Sequence, residues 1–194
     1  MLSSQEALER LAYGNHDFLT LRQHELDTSL ERITELFEYG QSPFAIVLTC
    51  SDSRVVPEHM FVASLGDLFT IRVAGNVVGP SELASAVYAC EHLHVKLLLV
   101  LGHTHCGAVG AAMEGGVTGC VSAITDRIAE AIGDERDPYL ATVLNVHASM
   151  RALAENPELA SLAREDGLEI HGAVYHTHSG KVDFLDEVDF AGKR

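Results

Sequence analysis

The chain has 194 residues, 47% of them hydrophobic and only 6% aromatic, with 13 Lys and Arg against 28 Asp and Glu for a formal charge of -15. That length and hydrophobic fraction fit one domain with an aliphatic core and exclude a disordered chain. The acidic field, which has no basic stripe, excludes nucleic-acid backbones and anionic membranes as leading partners.

Cysteines at 50, 90, 106 and 120 are too few and too irregular for a disulfide scaffold, so they are expected to be reduced. The sequence has no apolar leader, and no stretch approaches the roughly 20 apolar residues of a membrane span. A cytoplasmic protein is the expectation.

Ser3 with Glu6, and Thr28 with Glu31, have capping-box spacing ahead of apolar residues at helical intervals, which predicts a helical arm over residues 1–40. After Pro43, Phe44 to Thr49 reads as a strand buried on both faces, and Leu68 to Val73 and Val95 to Leu101 as two more. A helix from about Ser81 to Leu93 separates those last two. Gly115-Gly116 closes a short helix, and Asp137-Pro138 and Asn156-Pro157 each place an N-cap before a proline suited to the first helical position. Leu140, Val143, Leu144, His147, Met150 and Leu153 mark one face of the first of these helices. Leu168 to Tyr175 and Lys181 to Leu185 flank Ser179-Gly180 as a hairpin. The expected fold is α/β in a single domain over 1–194: a mainly parallel central sheet of four strands plus a short antiparallel edge strand, flanked by helices.

Two ligand-bearing clusters follow strand ends, where open α/β sheets bind ligands. Cys50-Ser51-Asp52-Ser53-Arg54 lies after the first strand and His103-Thr104-His105-Cys106-Gly107 after the third. Two thiolates and an imidazole suit zinc, and three protein ligands with an open position form a catalytic rather than a structural set. Asp52 is placed either to hydrogen-bond an oxygen at the metal or to close the fourth position, and Arg54 to hold it off. The plainer reading makes Cys50 and Cys106 core thiols and His103 a helix cap. A phosphate-binding loop fails, because Ala108 and Val109 stand where Lys and Ser or Thr are required.

Cys50 to Val55 with Pro57, Arg72-Val73-Ala74-Gly75-Asn76, and Gly102 to Gly107 together resemble the β-class carbonic anhydrases, with looser likeness through Tyr175, Gly180 and Val182. The resemblance implies zinc, one per subunit, on Cys50, His103 and Cys106. It implies an Asp52–Arg54 dyad, with Asp52 a fourth ligand in a closed state. The reaction would be reversible hydration of carbon dioxide to bicarbonate and a proton, by attack of hydroxide generated at zinc. The chain would form a homodimer, alone or paired into a larger assembly, with the 1–40 arm on the partner subunit.

By the same resemblance, Gln41, Phe69, Ala74, Tyr88 and Gly107 contact substrate, and His92, one helical turn after Tyr88, is the candidate proton shuttle. His105 is not expected to be a ligand. Arg72 and Tyr175 match two positions of an inhibitory bicarbonate site, but Val47 replaces its Trp. Cys90 and Cys120 are expected to be inert core thiols. Two alternatives are hydrolysis of carbonyl sulfide or carbon disulfide on the same fold, and a non-catalytic zinc protein that senses bicarbonate. The latter predicts a lost Asp52 or Arg54, and both are present.

Overall fold

The apolar run after Pro43 forms strand β1, Ala45–Thr49, and all five of its residues are buried. The structure, a computed structural model, describes residues 2–20 and 25–185. Around β1 the sheet runs in the order β2 (Leu68–Arg72), β1, β3 (Leu97–His103), β4 (Glu169–Tyr175), β5 (Val182–Phe184). The first four are parallel neighbours, and β5 pairs antiparallel with β4. This is the sheet expected from the sequence.

Alternation along each strand feeds two cores. Ile46, Leu48, Leu98, Val100, Ile170 and Val174 face one side. That side is covered by α4 (Pro80–Leu93), α7 (Pro138–Ala154) and α8 (Pro157–Asp166). Ala45, Val47, Leu97, Leu99, Leu101 and Ala173 face the other side, against α1 (Ser4–Thr20) and α3 (Pro57–Met60). A third cluster, beyond the carboxyl ends of β1 and β3, gathers Cys50, Cys106, Val109 and Ile128. It draws on α5 (Gly107–Glu114) and α6 (Ser122–Ile132), of which the sequence reading anticipated only α5.

Four local expectations change. The second helix, α2 (Leu30–Tyr39), is capped by Ser29, whose hydroxyl accepts from Arg32 N, rather than by Thr28. On α7 the buried face is Ala141, Thr142, Asn145, Val146, Ser149, Met150 and Leu153, while Leu140 is exposed. The apolar pattern failed there because that face spends three positions, Thr142, Asn145 and Ser149, on hydrogen-bonding side chains. Cys120 is exposed in a short 3-10 turn, so only Cys90 is a core thiol, and burial pushes it up to about 12. The fourth change concerns the arm.

Within the single chain the two helices of residues 1–40 pack differently, and residues 21–24 lie outside the described segments. Ser3 and Glu6 form the capping box: Ser3 N donates to Glu6 Oε2 at 2.8 Å, and Glu6 N to Ser3 Oγ at 3.3 Å. The helix it starts docks on its own chain, with Ala7 and Leu11 in the sheet core. Asn15 ties it down further, donating to Met60 O and Gly180 O and accepting from Val182 N. By contrast α2 buries no residue and leaves Leu30, Ile33 and Phe37 as an exposed stripe, Phe37 at 87%. No single described helix is long and apolar enough to cross a membrane.

Gly14 reports the docking of α1 directly, because a Cβ there would stand 1.9 Å from the Phe61 carbonyl oxygen. Alanine is the better helix former by about 1 kcal/mol, so a free helix would gain from Gly14→Ala. The docked helix instead loses about 1–3 kcal/mol through forced repacking, read as a lower midpoint in urea denaturation.

Candidate metal centre

The strand order places the ligands. From β1 the chain moves to β2 on one side, then crosses to β3 on the other, so the carboxyl ends of β1 and β3 form the switch point of the sheet. Cys50 is the residue after β1, and His103 is the last residue of β3. The two strand ends are tied together by Thr49, whose hydroxyl donates to Leu101 O at 2.8 Å. Cys106 is the N-cap of α5, reached through a turn in which His105 is left-handed, with φ 57°. His103 and Cys106 therefore do not share a helix face. They converge from a strand end and a helix cap, and His105 lies exposed outside the cluster.

Cys50, His103 and Cys106 are all buried and offer one ligand atom each within 4.8 Å of one another. Two bonds to zinc of about 2.3 Å bridge a comparable span. His103 Nδ1 lies 3.0 Å from Thr104 O, and a carbonyl only accepts, so the proton sits on Nδ1 and Nε2 carries the free lone pair. That Nε2 is buried without a hydrogen-bond partner. Buried polar atoms are seldom left so, and a cation satisfies this one.

The thiols are electrostatically linked. Hydrogen bonding, first from the Cys106 thiol and also from the backbone of Gly75 and Asp52, outweighs burial and holds the Cys50 thiol well below its ordinary value. Cys106, beside that sulfur and buried, is pushed up. Cys50 and Cys106 thus lie side by side as a linked pair of sulfurs, from which a binding cation displaces thiol protons. Gly75 donates its N–H to Cys50 Sγ at 3.3 Å from a turn, Ala74–Asn76, that follows β2.

Asp52 is fully engaged by Arg54. Its Oδ1 accepts from Arg54 N and Nε, both at 2.9 Å, and its Oδ2 accepts from Arg54 Nη2 at 2.8 Å. Those bonds hold the Asp52 carboxyl well below the usual carboxylate range. Oδ2 also stands 4.0 Å from His103 Nε2, so the carboxylate borders the ligand set while remaining on the guanidinium. Arg54 Nη2 donates further to His105 O, and Arg72 Nη2 to Asp52 O, joining both clusters and the end of β2 in one network.

The other expected residues are less tightly gathered. Ala74 opens the turn that contains Gly75, and Gly107 is the first residue of α5 beside Cys106. Phe69, Tyr88 and His92 form a run of rings, with centroids 6.3 and 4.9 Å apart, in which Tyr88 is 48% exposed. Gln41 is exposed before β1. No hydrogen bond or ion pair joins Gln41 or the rings to Cys50, His103 or Cys106 among the described residues. Sequence reasoning missed Gly75 as a donor to sulfur and Arg72 as a support for Asp52. Their motif was visible in the sequence, but the atoms they reach were not.

The chain matches the carbonic anhydrase family over residues 45–182. It is 32% identical to carbonic anhydrase 2 of Mycobacterium tuberculosis, over 96% of this chain and 95% of the relative. It is 37% identical to a carbonic anhydrase of Pseudomonas aeruginosa, over 75% of this chain and 74% of that one. Among solved structures, the β-carbonic anhydrase CafA of Aspergillus fumigatus superposes with TM-score 0.74 at 29% identity, over 82% of this chain and 84% of that one. A tetrameric β-carbonic anhydrase of Sordaria macrospora gives 0.71 at 27%, over 82% and 90%.

Cys106→Ala removes one of two anionic ligands, so the purified variant is expected to lose stoichiometric zinc in elemental analysis. Full zinc occupancy would contradict the ligand assignment.

Proposed function

Because the chain belongs to the β-class carbonic anhydrases, enzymes of the zinc-dependent, reversible hydration of carbon dioxide, we propose that Asp52, held by Arg54, orients the attacking hydroxide. The observation that carries this reading is the three-bond Arg54 grip on Asp52 beside the unpartnered Nε2 of His103. Cys50, His103 and Cys106 would hold the zinc, which would supply Lewis acidity that makes hydroxide available near neutral pH.

The division of labour within the carboxylate follows from its bonds. Oδ1 takes two donors from Arg54 and Oδ2 only one, which leaves Oδ2, the oxygen nearer His103, with spare acceptor capacity. An ionised carboxylate accepts and does not donate, so Oδ2 would accept a hydrogen bond from the nucleophile's O–H and turn an oxygen lone pair toward carbon. Held so far below the usual range, Asp52 orients rather than removes a proton. Arg54 meanwhile keeps Asp52 off the metal ligands, and this supports an open fourth position.

The released proton needs a different acceptor, and His92 is the proposed one. Support comes from its exposure and from its ring beside Tyr88. Gln41, Phe69, Ala74, Tyr88 and Gly107 are the proposed substrate contacts. The exposure of Gln41 and Tyr88 in one chain fits a cleft completed by a second subunit. We propose a homodimer that covers the stripe of Leu30, Ile33 and Phe37, an apolar face without cover in the single chain. A cytoplasmic setting is part of the same reading, supported by four unbridged cysteines.

Asp52→Asn keeps the shape but loses the ionised acceptor. The variant is expected to retain zinc and lose about 10²-fold or more in stopped-flow hydration; wild-type turnover would remove Asp52 from the mechanism. Phe37→Asp is expected to shift the assembly toward monomer in sedimentation velocity, and an unchanged profile would place the interface elsewhere.

A further inference from the structure

The buried face of α7 carries two polar side chains that the reaction does not explain. Asn145 and Ser149 are 2% and 4% exposed, one helical turn apart, on a face otherwise shared with Val146, Met150 and Leu153. Neither favours a helix interior, and a buried amide is costly unless it is bonded. Both are bonded to one place. Asn145 Nδ2 donates to Gly75 O and Ser149 Oγ to Asn76 O, each at 2.8 Å.

That turn is unusual in its backbone and clamped from two directions. Gly75 and Asn76 are consecutive left-handed residues, with φ 70° and 46°. From α5 and α6, Ala108 Cβ and Ile128 Cδ1 stand 3.1 and 2.7 Å from where a Cβ on Gly75 would lie, so the turn has little room to swing. From α7 come the two hydrogen bonds to its carbonyls. What the clamp fixes is the direction of the Gly75 N–H, which donates to Cys50 Sγ at 3.3 Å.

We propose that Asn145 and Ser149 are positioning residues for the metal centre, acting through the Gly75–Asn76 turn on the sulfur of Cys50. The proposal rests on Cys50 being a zinc ligand. Two thiolates load the metal with negative charge and weaken its Lewis acidity. A fixed N–H on one sulfur withdraws part of that charge and holds the sulfur in place before the metal arrives. Asn145 and Ser149 are thus the outermost links of a chain: side chains to the Gly75 and Asn76 carbonyls, along the turn backbone to the N–H of the preceding peptide, N–H to sulfur, sulfur to metal.

The test compares the zinc-loaded and cobalt(II)-substituted protein with Asn145→Leu, Ser149→Ala and Ser149→Thr. Zinc affinity is read by chelator competition and the sulfur-to-cobalt charge-transfer band by absorption. Asn145→Leu and Ser149→Ala are each expected to weaken zinc about 10-fold, the low end for outer partners of metal ligands, and to move the band to lower energy as the sulfur becomes more electron-rich. Ser149→Thr, which keeps the hydroxyl, restores both. Leu153→Ala, buried on α7 but part of the sheet core, is expected to lower the melting temperature and leave both readouts unchanged. Folded Ser149→Ala and Asn145→Leu with wild-type affinity and band would overturn the relay. Cys50→Ala separates the two layers: loss of zinc there with silent α7 variants sinks only the relay, whereas full zinc retention sinks the ligand reading beneath it.

Discussion

The adjacency of β1 and β3 at the point where strand order reverses is the constraint from which the site follows. Because β1 lies between β2 and β3, its carboxyl end opens beside that of β3, and Cys50 and His103 meet although 53 residues separate them. The Thr49 hydroxyl on Leu101 O locks this neighbourhood inside the sheet. Cys106 then needs only a short turn to arrive from the other side. The metal centre is thus built largely from strand ends, with Cys106 added from a helix cap.

Two features keep that site ready. His103 presents a lone pair because its other nitrogen donates its N–H to the Thr104 carbonyl, and the Cys50 thiol is held well below its ordinary value beside Cys106. Around this core the charged residues form a brace rather than a second ligand set: Arg72 holds the Asp52 backbone and Arg54 its carboxylate. In this structure Asp52 is bonded to Arg54 by both carboxylate oxygens.

Where sequence reasoning went astray, the cause was a long-range partner. The face of α7 was assigned by apolar residues alone, so Asn145 and Ser149 were overlooked; their reason for being buried is a turn about 70 residues earlier in the chain. The N-terminal segment looked like one arm because both helices are amphipathic. Only packing distinguishes α1, whose Gly14 meets the Phe61 backbone, from α2, whose apolar stripe stays open. Cys120 looked like a core thiol from its pattern and is exposed, because a 3-10 turn replaces the expected helix.

The sequence by itself determined the parallel sheet with its antiparallel edge, the proline-started helices, the metal-ligating residue types and the charged pair between them. These are local properties: hydrophobic period, cap chemistry and ligand softness are written in neighbouring residues. Tertiary structure decided which nitrogen of His103 is free, which way Asp52 turns, and that Gly75 reaches the sulfur of Cys50. Those depend on hydrogen-bond directions between segments distant in sequence, and only the folded chain brings those segments together.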